Sequence, residues 1–167
     1  PIHGAHKMMV ESHFLADILN SVQIEKIEAY SVLVLPEPAD YDAVVWDSLR
    51  SWVRRGGILI ACGGATLSNG CFHLADVFGV RFVEPSVFSV SHFKPFPEVR
   101  GKTADLVLQC RGQAFKVVAV GARPLADYYF PQGESTDDRA FRHSKAAPPA
   151  DRPSPYPFAT VNRYGEG

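Results

Sequence analysis

The pattern of apolar and polar positions is sharpest between Tyr30 and Gly64, in YSVLVLPEPADYDAVVWDSLRSWVRRGGILIACGG. An apolar run ends at Pro36 and an amphipathic stretch follows. A second apolar run opens after Gly56-Gly57 and stops at Cys62-Gly63-Gly64. Val45, Leu49, Trp52 and Val53 recur at the spacing of one helical face. Arg54 and Arg55 fall in the last turn, where cations suit the negative end of the helix dipole. The glycine pair stands where a left-handed cap is needed. Val32–Leu35 and Ile58–Ala61 do not alternate, as expected of parallel strands covered on both faces. The segment predicts a right-handed strand–helix–strand crossover, and with it an α/β chain.

Around this unit the pattern is less regular. Gly4 to Glu11 predicts a short helix, and Phe14–Leu19 fits either a short strand or a continuation of it. Ile24 and Ile27 support a turn before the first strand. After Cys-Gly-Gly come a small-residue loop, Ala65–Gly70, and a helix from about Phe72 to Phe78 that Gly79 ends. Arg81–Val83 predicts a short strand, and three prolines between Glu84 and Lys102 predict loops. Asp105–Cys110 and Ala114–Val120 read as strands joined in a hairpin across Arg111-Gly112-Gln113. Pro131–Pro157 is a long polar arm with five prolines between Pro148 and Pro157; an arm of that kind is expected to serve function or to pack on another subunit or domain. Phe158–Arg163 returns as a strand, and Tyr164-Gly165-Glu166-Gly167 is a turn expected to lead into a further one.

Length and composition narrow the classes. At 167 residues the chain suits a single domain, residues 1–167, with a core large enough to need no staples. Apolar content of 46% and charged content of 21% are those of an ordinary globule. A net charge of −1 gives no footprint for nucleic acid or an anionic membrane. No apolar run reaches bilayer length and no leader pattern opens the chain, so the expectation is cytoplasmic. Three cysteines, Cys62, Cys71 and Cys110, are too few and scattered for a disulfide framework and read as reduced thiols. The chain opens on Pro1 and stops on Gly167, and it reads as a piece of a longer polypeptide.

Cys62 is the sharpest candidate for chemistry. It stands where a core strand gives way to two glycines, a pattern that permits a tight nucleophile elbow. A working thiolate also needs a base, and a group to orient that base. His143 is followed by Ser144 and Lys145, which supply no such pair. The expectation is a structural cysteine. His3, His6 and His13 invite a metal reading, but no carboxylate or cysteine lies beside them at ligand spacing, and no metal is expected. His73 and Asp76, one turn apart, read as a solvated face, and Asp137-Asp138-Arg139 as a solvated loop. Glu37 follows the first strand at the edge where α/β folds bind ligands, so Glu37, Gly63 and Gly64 form the candidate ligand edge. Pro36 and Pro38 favour a rigid turn at Glu37 instead. No phosphate loop or dinucleotide fingerprint is present, and no cofactor is expected.

With these residues in place the chain resembles the amidotransferase-like domain that follows the catalytic barrel in some glycoside hydrolases, the β-galactosidase trimerisation type. The resemblance rests on an ordered set: Gly4-Ala5 leading to FLADIL, then YSVLVLPE, LRSWVRRGGILIACGG, LADVFGV, FRHSKAAPP and PFATVNRYGEG. Ile60-Ala61-Cys62-Gly63-Gly64 resembles the class I amidotransferase elbow, with Ile60 in place of its first glycine and the late His-x-Glu pair missing. The resemblance implies a flavodoxin-like three-layer sandwich around a mostly parallel sheet, without the usual first and last strands. It implies a non-catalytic accessory or oligomerisation role, with the chain's own barrel or further copies as partners. The sugar-cleaving carboxylates would sit on a barrel, which takes about 250 residues and has no counterpart here. Two other readings stay open: a cysteine hydrolase using Cys62, and a small-ligand or sugar-binding module at Glu37, Gly63 and Gly64.

Overall fold

The computed structural model describes residues 2–36, 41–132 and 149–167. The chain divides into two compact units, Pro1–Val77 with Arg163–Gly167, and Phe78–Asn162.

The first unit opens with helix α1 (Ile2–Glu11) and a 3₁₀ segment, Ser21–Ala29. Strand β1 (Val32–Leu35), helix α2 (Ala43–Arg54) and strand β2 (Ile58–Ala61) follow. The predicted crossover forms: β1 and β2 are parallel, with Val32 opposite Ile58 and Leu35 opposite Ala61. Helix α2 starts where Asp42 caps it, the carboxylate accepting from Val45 N at 3.1 Å. Its apolar face buries Val45, Trp46, Leu49, Trp52 and Val53, each contributing about 1.5–3 kcal/mol of transfer free energy. At its end Gly56 takes a φ of 109°, and a Cβ on Gly57 would collide with the Trp52 ring. The closing Tyr164–Gly167 turn docks on this same end. Glu166 N donates to Arg54 O at 3.1 Å, and Arg54 Nη2 donates to Tyr164 OH at 2.7 Å. It thereby occupies a last-turn carbonyl that the helix itself leaves unpaired. A Cβ on Gly165 would stand 2.6 Å from that carbonyl oxygen.

Beyond β2 the expected loop and helix are rearranged. Strands β3 (Leu67–Ser68) and β4 (Cys71–Phe72) form a small hairpin, and the helix shrinks to α3 (Ala75–Phe78). Gly70 (φ 77°) makes the hairpin turn that takes Phe72 out of the helix.

The second unit is antiparallel. It comprises β5 (Val80–Pro85), β6 (Val90–Pro95), α4 (Pro97–Arg100), β7 (Leu108–Arg111), β8 (Phe115–Ala119), β9 (Arg123–Pro131) and β10 (Ala150–Val161). Strands β5 and β8 pair with each other, and the larger sheet runs β10-β9-β6-β7. The unit's buried residues include Tyr128, Ala126, Ser86, Ser91 and His92. The Tyr128 and Ser86 hydroxyls meet at 3.0 Å, and Phe93 stacks on Phe158 with centroids 4.3 Å apart.

The mostly parallel flavodoxin-like sandwich is therefore overturned. Among the described residues β1–β2 is the one parallel pair, and the other pairings are antiparallel. A parallel step needs a crossover of a dozen residues or more, and α2 supplies one. Downstream the strands follow one another through short links that suit antiparallel pairing. The prolines of Glu84–Lys102 do not abolish structure: Pro85 and Pro95 end β5 and β6, and Pro97 opens α4, positions where a missing N–H costs little. The hairpin expected across Arg111–Gln113 does not form. Strand β7 pairs with β6 and β8 with β5, while Gly112 (φ 133°) turns the chain and its N–H donates to Ser89 O. Residues 133–148 of the expected arm lie outside the described residues. Its described ends pair, Ala150 opposite Pro131, and Pro153, Pro155 and Pro157 fall in β10, an edge strand whose register shifts repeatedly.

Candidate functional site

The polar centre of the first unit is built on α2. Asp47 and Arg50 lie three positions apart on one helix face, and Arg50 reaches from there to the residues after the β3–β4 hairpin. Its Nη1 donates to Asp47 Oδ1 at 2.8 Å, its Nε to Asp76 Oδ2 at 3.0 Å, and its Nη2 to the His73 carbonyl at 2.8 Å. The hydrogen bond to Asp76 raises the Arg50 pKa. Burial pushes the Asp76 carboxyl upward, but the Arg50 hydrogen bond and charge outweigh it and hold the group below the usual carboxylate range. Both carboxylates are largely or half exposed, so each pair contributes about 0–1 kcal/mol. The clamp fixes position more than it adds stability.

An aromatic stack stands beside the clamp. His73 lies on Trp46 with centroids 4.8 Å apart and planes 11° from parallel, and Tyr41 meets Trp46 at 5.0 Å and 57°. An open cavity of about 230 Å³ is lined by Tyr41, Ala43, Trp46, Asp47, Arg50 and His73. Trp46 is 4% exposed, and its indole N–H has no partner among the described residues.

The residues singled out by sequence fall elsewhere. Cys62 follows β2, its N–H donating to Leu35 O at 3.0 Å and its thiol exposed. Gly63 (φ 55°) and Gly64 continue the turn, which runs into the β3–β4 hairpin rather than a helix. Glu37 lies outside the described residues. Cys110 is half-buried, and burial raises its thiol pKa. His3 and His6 lie on α1, and no group of three or more His, Cys, Asp or Glu residues suited to a metal occurs among the described residues. His73 and Asp76 do come together, through Arg50 rather than by local hydrogen bonding. Sequence reasoning missed Arg50, Trp46 and Tyr41. The Asp47–Arg50 spacing was a visible signal, but the hairpin that brings His73 to Trp46 was not. No described helix is long and apolar enough to cross a membrane.

The chain matches no known sequence family and no curated protein. Its fold does match solved structures. Against α-L-fucosidase isoenzyme 2 from Paenibacillus thiaminolyticus the TM-score is 0.80 at 19% identity, over 96% of this chain and 24% of that one. Against a cold-adapted β-galactosidase from Rahnella sp. R3 it is 0.64 at 19% identity, over 92% and 21%. Against the β-galactosidase from Bacillus circulans sp. alkalophilus it is 0.60 at 16% identity, over 91% and 24%. The chain thus spans about a quarter of these glycoside hydrolases and shares the fold of that portion.

Proposed function

We propose that this chain is a non-catalytic accessory domain of a glycoside hydrolase, packing against another domain of the same polypeptide or a second copy of itself. The observation that carries the reading is the fold match to the α-L-fucosidase, nearly complete for this chain and a quarter of the larger one. The apolar surface of the first unit supports the packing role. Helix α1 buries no residue, and Met8, Phe14, Leu15, Ile18 and Val22 are all more than half exposed. The β1–β2 register puts Val32, Val34, Ile58 and Ile60 on one face, and Val32, Ile58 and Ile60 are exposed there. Parallel strands are ordinarily covered on both sides, so this face suits a partner surface.

The test substitutes Leu15→Ser with Ile58→Lys in the protein that carries this chain, both at exposed positions. Weakened assembly, read as altered sedimentation or faster hydrogen exchange across β1 and β2, is the expected result. Unchanged sedimentation, with β1 and β2 exchanging rapidly in the unsubstituted protein, would overturn the packing role. Turnover of nitrophenyl galactoside or fucoside by the isolated chain would overturn its non-catalytic character.

A further inference from the structure

We propose that the cavity between α2 and the residue after the β3–β4 hairpin binds a single neutral, hydroxylated ring of the pyranose class. Its volume of about 230 Å³ is below the range of drug-sized pockets, about 300–1,000 Å³, and suits one ring. Its walls combine aromatic surface with polar groups of both kinds. His73 gives one ring face to Trp46 and is exposed elsewhere. The Tyr41 hydroxyl and the imidazole nitrogens of His73 have no hydrogen bond to a described residue. The Trp46 N–H is a buried donor without a described partner, closed off from the cavity, so Trp46 offers ring surface there rather than a hydrogen bond.

The charge balance selects the ligand class. Arg50 is committed to Asp47, Asp76 and the His73 carbonyl, and the two carboxylates outnumber the one guanidinium. An anion would therefore meet net negative charge. A cation brings no acceptor and leaves the Tyr41 hydroxyl donor unanswered. A polyhydroxylated ring can do both: its hydroxyls donate to Asp47 and accept from the Tyr41 hydroxyl, while its apolar C–H face lies against an aromatic ring. Asp47, with a side chain 75% exposed, keeps its second oxygen for this.

The site rests on this geometry, and only the choice of sugars as probes rests on the glycoside hydrolase reading. The protein carrying the chain is labelled with 5-fluorotryptophan. The ¹⁹F line of Trp46 is assigned by its loss in Trp46→Phe and titrated with methyl β-galactoside and methyl α-fucoside, with tetramethylammonium as the cationic control. A saturable shift with a Kd on the order of 1–10 mM is expected for one ring held by few contacts. It should weaken at least about tenfold in Asp47→Ala, a surface substitution that leaves the helix cap intact. A response to tetramethylammonium alone would make this a cation site and overturn the proposal. No response to either sugar would also overturn it, while leaving the assembly test above unaffected. A shift that persists in Asp47→Ala would place the sugar elsewhere.

Discussion

The two units of this chain deal with strand edges and apolar faces in opposite ways. In Phe78–Asn162 each strand finds an antiparallel neighbour inside the unit, and the interior holds Tyr128 and Ser86 in a shared hydrogen bond. In the other unit two parallel strands pair with each other, and one of their faces is exposed at Val32, Ile58 and Ile60. A lone two-stranded sheet is at best marginally stable in water. Burial in that unit is concentrated on α2, with five of its residues covered, while α1 covers none. The contrast shows that regular structure and self-sufficiency are separate properties. The segment with the clearest hydrophobic pattern buries one face of its helix and still leaves a face of its strand pair exposed.

The strongest way to break this contrast is to remove core from α2. Leu49 is 2% exposed, and Leu49→Ala should cost about 2–5 kcal/mol. Native-state hydrogen exchange is expected to place that loss at α2, β1 and β2, with β6 and β9 retaining their protection. Equal losses in both units would mean that they unfold as one body. A smaller effect is expected in the antiparallel unit from Tyr128→Phe, which leaves the buried Ser86 hydroxyl short of a partner. About 1–3 kcal/mol should disappear from β6 and β9 protection.

The smallest effect is electrostatic. Asp76 has a folded pKa below its unfolded one, so its pairing with Arg50 stabilises above the unfolded value, about 4. That contribution is lost as pH falls through the lower folded pKa. Protection of the α2 unit should therefore decline below about pH 4, and Asp76→Asn should flatten the decline. With the carboxylate half exposed, the difference should not exceed about 1 kcal/mol. An unchanged acid profile in the variant would show that the clamp adds nothing to stability.

Legibility in the sequence followed the range of the interactions. The α2 helix, its glycine stop and the parallel pair were readable because local spacing determines them. The antiparallel unit was not. Strand β6 is flanked by prolines and was read as loop, although it is the strand between β9 and β7. Strands β7 and β8, adjacent in sequence, join different sheets because Gly112 turns the chain toward Ser89. Such choices depend on partners far along the chain, and no short window records them. The polar site divides in the same way. The Asp47–Arg50 pair is local and visible, whereas the meeting of His73 with Trp46 needs the β3–β4 hairpin first.

The placement of Gly79 has a consequence for the order of assembly. A Cβ there would lie 2.7 Å from the Asn162 side chain, so the first and last residues of the antiparallel unit leave it side by side. To the rest of the chain that unit is an insertion with adjoining ends, the arrangement in which inserted domains are best tolerated. Residues 163–167 must return to the end of α2 after a long excursion, and closure entropy rises with the length of free chain that must be restrained. Once the insertion has folded, the free chain between Arg54 and Glu166 shortens to residues 55–77 and 163–165. The final turn then docks on Arg54 at a lower entropic cost than it would across the unfolded excursion.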